Sequence, residues 1–149
     1  MDNIVVRLMT ADDIDQVVEI EEEAFASPWT RKGFEESLTY DYSRFYVAAI
    51  DNEVVGYIGT YCMFEDVDIT NVAVRQSFRR KGIANKLLEA VIESSLEKQL
   101  NYINLEVRPS NVPARKLYEK YDFKEIGIRK NFYTKPAEDG IIMQKDISK

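Results

Sequence analysis

The sequence predicts a mixed α/β (α+β) fold, one domain over residues 1–149, with an antiparallel front and a strand–helix–strand rear. Three observations point there. A chain of 149 residues with 45% apolar and 31% charged side chains has the size and balance of one ordinary globular unit. Between Phe45 and Val74, aromatic and β-branched runs are separated by short turn sequences, the pattern of an antiparallel meander. From Ile83 the pattern changes to an apolar stripe at helical spacing, followed by an alternating strand.

In chain order, Ile4 to Met9 reads as a first strand. Thr10 with Asp13 resembles a capping box, and behind it Ile14, Val17, Val18, Ala24 and Phe25 recur at near-helical spacing. Ser27-Pro28-Trp29-Thr30 ends that helix, and Thr30 is placed to cap a short second one carrying Phe34 and Leu38. Phe45 to Ile50 is a strand, Asp51-Asn52 a turn, and Val54 to Phe64 a longer strand in which Gly56 and Gly59 mark bends or close backbone approach. Glu65-Asp66 turns into Ile69 to Val74. Ile83, Leu87, Leu88, Val91, Ile92 and Leu96 give the strongest amphipathic stripe. Tyr102 to Val107 puts Ile103, Leu105 and Val107 on one face and Asn104 and Glu106 on the other. A helix from Val112 to Tyr121 and strands at Phe123 to Ile128 and Ile141 to Gln144 complete the chain. No repeat or Pro/Gly-rich linker interrupts it.

Composition removes several chemistries. The chain has no His and one Cys, so a Cys/His zinc site, a Ser-His-Asp triad and a Cys-His dyad are excluded. Cys62 is expected to be a small buried residue. No apolar run approaches the roughly 20 residues that span a bilayer, and Met1-Asp2-Asn3 lacks the basic region and apolar core of a signal peptide. These features predict a cytoplasmic, reduced, metal-independent protein.

The net charge of −6 averages two unlike halves. Residues 1–70 carry 4 basic and 16 acidic side chains, net −12, and residues 71–149 carry 16 basic and 10 acidic ones, net +6. The split fits partners of opposite sign, and it equally fits charges that only cover solvated helix faces.

The strongest local signal runs from Asn71-Val72-Ala73-Val74 through Arg79-Arg80-Lys81-Gly82 to Ile83-Ala84. A strand enters a basic, glycine-bearing loop that opens onto the most amphipathic helix. Unpaired N–H groups and the positive end of the helix dipole favour a bound anion there. The spacing is neither that of a nucleoside-triphosphate loop nor that of a dinucleotide fingerprint. On chemistry alone, an anion site and a plain basic loop both remain open.

Here the residues resemble a family. Arg79-x-x-Gly82-x-Ala84 after Asn71-Val72-Ala73-Val74 looks like the acyl-coenzyme-A motif of the GNAT acetyltransferase superfamily. Leu105-Glu106-Val107-Arg108, Ser110-Asn111 and Leu117-Tyr118-Glu119-Lys120 match its C-terminal half in order. More narrowly, Pro28-Trp29, Ile69 to Val74, Arg129-Lys130-Asn131-Phe132-Tyr133 and Glu138-Asp139-Gly140-Ile141-Ile142-Met143 resemble the RimI-type ribosomal-protein alanine N-acetyltransferases. The resemblance implies a GNAT acyl-CoA N-acyltransferase fold, a mostly antiparallel splayed sheet flanked by helices, that uses acetyl-CoA and no metal. The implied acceptor is a protein N-terminus, that of an alanine-starting small-subunit ribosomal protein. The implied assembly is a monomer or weak dimer, with no direct nucleic acid or membrane partner.

By the same resemblance, Val72, Ala73 and Val74 pair with the pantetheine arm, and Arg79, Arg80, Lys81, Gly82, Ile83, Ala84 and Asn85 receive the pyrophosphate. Asn111 contacts the cofactor. Glu106 matches the general base and Tyr118 the general acid. The chemistry has use for both. An α-amino group with a pKa of about 7.7–8.0 is largely protonated at neutral pH, so a carboxylate must take its proton, directly or through water, before it attacks a thioester. A phenol near the sulfur can protonate the departing thiolate, and a backbone N–H near Val74 can face the carbonyl oxygen.

Bland readings stand beside these. Glu106 on a polar strand face is also a simple solvated residue, and Tyr118 on a helix is also core or rim packing. Trp29 and Tyr133 either line a peptide groove or anchor the hydrophobic core. Ala84, Tyr121-Asp122-Phe123 and Gly140 depart from the commoner Gly, Leu-Gly-Phe and Ala of the family. Asp122 must then tolerate a left-handed backbone at a helix end. Two other functions fit the same motifs: acetylation of a small amine such as a polyamine or antibiotic, and non-catalytic acyl-CoA binding. The acidic front half, with Glu21, Glu22, Glu23, Glu65 and Asp66, is expected to steer a cationic acceptor.

Overall fold

Strands β1 (Ile4–Leu8), β2 (Ser43–Ile50), β3 (Glu53–Met63) and β4 (Asp66–Val74) form the front of a sheet. Strands β5 (Tyr102–Val107), β6 (Lys124–Thr134) and β7 (Ala137–Asp146) form its rear. The computed structural model describes residues 3–148; the Met1-Asp2 start and Lys149 lie outside them. Among the described residues the strands join in the order β1-β2-β3-β4-β5-β7-β6. Each neighbouring pair is antiparallel except β4 and β5, which are parallel. A parallel pair needs a long crossover. Helix α3 (Ile83–Glu97) supplies it.

Two apolar layers flank the sheet. On one face, Ile83, Leu87, Leu88 and Val91 of α3 and Tyr118 of α4 (Val112–Lys120) pack on Ile58, Val67, Ile69, Ile103, Leu105 and Met143. On the other, Ile14, Val17 and Ile20 of α1 (Ile14–Ala24) and Phe34 of α2 (Arg31–Ser37) pack on Phe45, Val47, Val54, Tyr57 and Ala73. The second layer has members from β2, β3 and β4 and none from β5, β6 or β7.

The local signals work as expected. The Thr10 backbone N–H donates to the Asp13 carboxylate at 2.8 Å, and Arg7 grips both oxygens of that carboxylate at 2.8 Å. Thr30 caps α2 by accepting from the Gly33 N–H at 3.1 Å. The Asp51-Asn52 turn puts both residues at positive φ, 51° and 69°, which suits a two-residue hairpin. Asp122 takes a φ of 68° where α4 ends.

Other expectations need correcting. Leu96 belongs to the predicted stripe, yet it is 51% exposed, because the buried face of α3 runs through Leu88, Val91 and Ser95 and Leu96 stands beside it. Cys62 is half-buried rather than buried. Phe64 is not strand but a turn residue at φ 59°, almost wholly in solvent. Strand β6 runs six residues beyond the predicted Ile128, through an irregularity that sets Lys130 to Phe132 opposite Asp139. Asn131 at φ 53° breaks the alternation there, which hides the strand from a periodicity reading. No helix among the described residues is long and apolar enough to cross a membrane.

Candidate active site

The site begins with a break in the sheet. β4 and β5 pair only over Asp66–Asp68 and Tyr102–Asn104. One extra residue enters β4 just beyond: Gly59 faces Asn71 while Thr60 faces Ile69, so Thr70 has no opposite number on β3. Such a bulge bends its strand and reverses its inside–outside alternation. Val67 and Ile69 therefore face the α3 layer, whereas beyond the bulge Val72 and Val74 do so and Ala73 faces α1. Among the described residues, the β4 edge that faces β5 has no strand partner from Ile69 to Val74. The two strands diverge around a cleft of about 840 Å³ whose walls include Thr70, Val72, Glu106, Asn111, Tyr118 and Tyr133.

Glu106 and Tyr118 meet in this cleft from different elements. Alternation on β5 turns Glu106 away from the core that holds Leu105 and Val107, and its side chain is 25% exposed. Its Oε1 forms an ion pair with Arg129 Nε at 3.0 Å. Tyr118 comes from α4, with its ring against Phe123 at 5.7 Å between centroids, and burial raises its phenol pKa. Its hydroxyl makes no hydrogen bond within the described residues, and no polar side-chain atom there is both sealed from solvent and unpartnered. The hydroxyl therefore opens on the cleft. Asn111, also on the cleft, caps α4: its Oδ1 accepts from the Ala114 N–H at 3.3 Å. Its side-chain NH₂ remains for another partner.

The basic loop lies beyond the end of β4. Arg80 and Gly82 both take positive φ, 64° and 77°, and the Gly82 residue caps α3 in the left-handed region. A Cβ on Gly82 would meet nothing within 4 Å, so backbone conformation, not crowding, requires glycine here. Ile83 is buried and anchors the helix start, and intrahelical bonding begins with Lys86 N–H to Gly82 carbonyl at 3.1 Å. The N–H groups of Ile83, Ala84 and Asn85 thus have no partner inside the helix. Arg79, Arg80 and Lys81 are exposed around them, with Arg79 Nε donating to the Val74 carbonyl at 3.3 Å. Asn85 turns its side chain to the Tyr121 hydroxyl at 3.3 Å. Of the residues singled out for a cofactor, Val72 and Asn111 line the cleft; Ala73, Val74 and the loop do not.

Trp29 and Tyr133 stand on the cleft's other walls. Trp29 serves both readings given above: its ring packs on Phe34 and Phe45, 5.3 and 6.0 Å away, while it also lines the cleft. The Arg108 guanidinium stacks 4.2 Å from the centre of the Tyr133 ring. Burial, with the carboxylates of Glu106 and Glu138, pushes the Tyr133 phenol up to about 12 against the pull of Arg108. Arg108 also donates to the carbonyls of Pro136 and Lys135 at 2.8 and 3.0 Å and to Glu138 at 3.2 Å. It locks the β6–β7 hairpin onto the β5–α4 loop.

Nothing in the sequence marks Arg108 or Arg129 individually. Only the Leu105-Glu106-Val107-Arg108 and Arg129 to Tyr133 motifs carried a hint of the two arginines. Glu21 reverses an expectation. Expected among the acidic groups that steer an acceptor, it is instead buried and faces Tyr57, Asn71 and Trp29. Glu65 accepts from Asn101 at 2.7 Å and Asp66 pairs with Tyr102, both at the closed end of the β4–β5 junction.

Residues 14–123 match the acetyltransferase (GNAT) family. The chain belongs to that family. This GNAT chain is 40% identical, over 93% of its length and 92% of the relative's, to a Bacillus subtilis protein provisionally named ribosomal protein bS18-alanine N-acetyltransferase. Its fold superimposes on the crystal structure of the ribosomal-protein alanine N-acetyltransferase of Escherichia coli with a TM-score of 0.92, at 29% identity, covering 99% of this chain and 96% of that one. A GNAT acetyltransferase of Elizabethkingia anophelis, solved with acetyl-CoA bound, matches with a TM-score of 0.78 at 25% identity over 99% and 100% of the two chains. The splayed, mostly antiparallel sheet expected from the motifs is the GNAT fold.

Proposed function

We propose that the chain is one acetyltransferase domain that moves an acetyl group from acetyl-CoA to the N-terminal α-amine of a protein, an alanine-starting small-subunit ribosomal protein being the acceptor. The observation that carries this reading is the convergence of Glu106 and Tyr118 on one cleft beside an unpaired strand edge. Relatives from Bacillus subtilis and Escherichia coli that are named ribosomal-protein alanine N-acetyltransferases support the acceptor class. The residues also fit the acyl donor: a free β4 edge for an amide-bearing arm, open space over Gly82, and a cationic helix start for its phosphates.

Bound acetyl-CoA supplies the activated carbonyl. Glu106 takes a proton from the substrate ammonium, directly or through one water, and frees the nitrogen lone pair. The C–N bond then forms as the C–S bond breaks, Tyr118 gives its proton to the leaving sulfur, and the second proton that the nitrogen sheds on becoming an amide returns Tyr118 to the neutral phenol through solvent. Burial holds the Tyr118 phenol protonated at neutral pH, as a donor must be. No enzyme nucleophile enters, in keeping with a chain that has no His and one half-buried Cys.

The test is acetylation of synthetic peptides beginning with Ala, against peptides with a blocked N-terminus and against free polyamines, read by mass spectrometry. Only the free Ala peptides should gain the mass of one acetyl group in exchange for one hydrogen. Turnover of polyamines without turnover of Ala peptides overturns the protein-acceptor reading. Wild-type rates in Glu106→Gln overturn the base assignment.

A further inference from the structure

Glu21 is a buried carboxylate that the proposed chemistry does not use. It sits in the last turn of α1, next to Glu22 and Glu23, at the negative end of the helix dipole, where an acidic group is unfavourable. Among the described residues no basic side chain lies within ion-pair distance of it, in contrast to Asp13, the other buried carboxylate, which Arg7 holds. Helix stability therefore does not explain Glu21. Its partners do.

Three donors and no acceptor face its two oxygens. Oε2 accepts from the Trp29 backbone N–H at 2.9 Å. Oε1 accepts from the Tyr57 hydroxyl and, more weakly, from Asn71 Nδ2 at 3.4 Å. Asn71 Nδ2 also donates to the Tyr57 oxygen at 2.6 Å, and the Thr70 hydroxyl fixes the other end of the amide by donating to Asn71 Oδ1 at 2.6 Å. Thr70 is the bulge residue that opens the sheet, and Trp29 belongs to the segment between α1 and α2. Glu21, Trp29, Thr70 and Asn71 all line the cleft.

We propose that Glu21 is a positioning residue of the acceptor site: one carboxylate ties the Trp29 segment to the bulged part of β4 and so sets the spacing of two cleft walls. The proposal rests on the reading of this cleft as the place where the acceptor binds. It acts through Trp29 and touches no reacting atom.

The test uses the full chain and the fact that Trp29 is its single tryptophan. A Gln amide has one oxygen where Glu has two, and that oxygen is best used on the side with two donors, Tyr57 and Asn71. The NH₂ of Glu21→Gln then faces the Trp29 N–H, donor against donor, and the segment is released. Acrylamide quenching of Trp29 fluorescence should rise clearly. The KM for an Ala-starting peptide should rise about tenfold, the size of one lost hydrogen bond to a charged group, with the KM for acetyl-CoA within about twofold of wild type. In a Trp29→Ala background the same substitution should leave the peptide KM nearly unmoved, because the wall it positions is gone.

Quenching equal to wild type overturns the proposal, as does a parallel rise of both KM values, which is general loosening. If Glu21→Gln does not fold, Glu21→Asp keeps the charge on a stem one methylene too short to span both walls and should show the same pattern. If wild type acetylates no peptide while quenching still rises in the variant, the acceptor reading fails and the tether stands.

Discussion

Tyr118→Phe should separate catalysis from folding. The Tyr118 ring is buried against Phe123, so the apolar part of the side chain contributes to the core and Phe retains it. The hydroxyl makes no hydrogen bond within the described residues, and removing a hydroxyl without a protein partner strands no donor or acceptor. Stability should change by less than about 0.5 kcal/mol, a Tm shift of about 2 °C or less for a chain of this length. Turnover is another matter. A positioned general acid is worth about 10²–10⁴ in rate, which corresponds to about 2.7–5.5 kcal/mol of barrier. The assay is steady-state release of free thiol from acetyl-CoA with an Ala-starting peptide, beside a calorimetric Tm. Acetyl-CoA affinity measured by titration should stay near wild type. Turnover within threefold of wild type at an unchanged Tm would refute the role of Tyr118; a large loss of both turnover and Tm would refute the claim that its hydroxyl is structurally idle.

Gly82→Ala meets no atom within 4 Å but forces a Cβ onto a φ of 77°, so it should cost about 1 kcal/mol by thermal melt. The added methyl stands over the proposed phosphate site, so the KM for acetyl-CoA should rise while that for the peptide stays; the opposite split would remove the loop from cofactor binding. Gly59→Ala places a Cβ 2.6 Å from the Phe45 ring, which Trp29, Phe34 and Tyr61 confine. It should destabilise by about 2–3 kcal/mol in urea titration, and a loss under about 0.5 kcal/mol would mean that the ring moves freely. Arg7→Ala should cost about 1–2 kcal/mol at pH 7, a charged-pair value reduced because the Arg7 side chain is 43% exposed. The Arg7 hydrogen bonds, more than the Thr10 N–H, hold the Asp13 pKa below the ordinary carboxylate range. A lowered folded-state pKa stabilises above the unfolded value near about 3.9, and this is lost as pH falls through the folded value. The gap between variant and wild type should therefore close below about pH 4, and a gap that widens there would reverse the sign.

The parts legible in the sequence are those that local rules decide. Thr30 caps its helix, Asp51-Asn52 turns its hairpin, and Ile103, Leu105 and Val107 face one way because a strand alternates. The motif residues at positions 106, 111 and 118 do reach one cleft, though nothing in their spacing says so; a strand, a loop and a helix bring them together. What stayed hidden is non-local. Ile69 to Val74 reads as an unbroken strand, yet the bulge at Thr70 decides which of its side chains enter which core. With strict alternation Asn71 would point with Val67 and Ile69 into the α3 layer, an amide among apolar side chains. A bulge is fixed by the partner strand, here by Gly59, whose missing side chain leaves room for Phe45 and Asn71. The Arg129 grip on Glu106 depends in the same way on β6 running past the residue where its periodicity fails.

The charge split takes a different meaning once partners are known. The acidic run of α1 works at contact range rather than as a distant field. Glu19 pairs with Arg75 at 2.9 Å, Glu23 accepts from the Gln76 N–H, and Glu21 reaches Trp29 and Asn71. Arg75 and Gln76 are the first residues after β4, so the negative front half holds down the entrance to the positive loop. Charges that are spent on such contacts contribute little beyond a screening length of about 8 Å at physiological salt. Long-range steering of an acceptor would then rest on groups with no such contact among the described residues, such as Glu22, and on Asp68, which lines the cleft beside Asn104. The same sequence feature that suggested two partners of opposite sign is, for half its length, the fastening between α1 and the strand that opens the sheet.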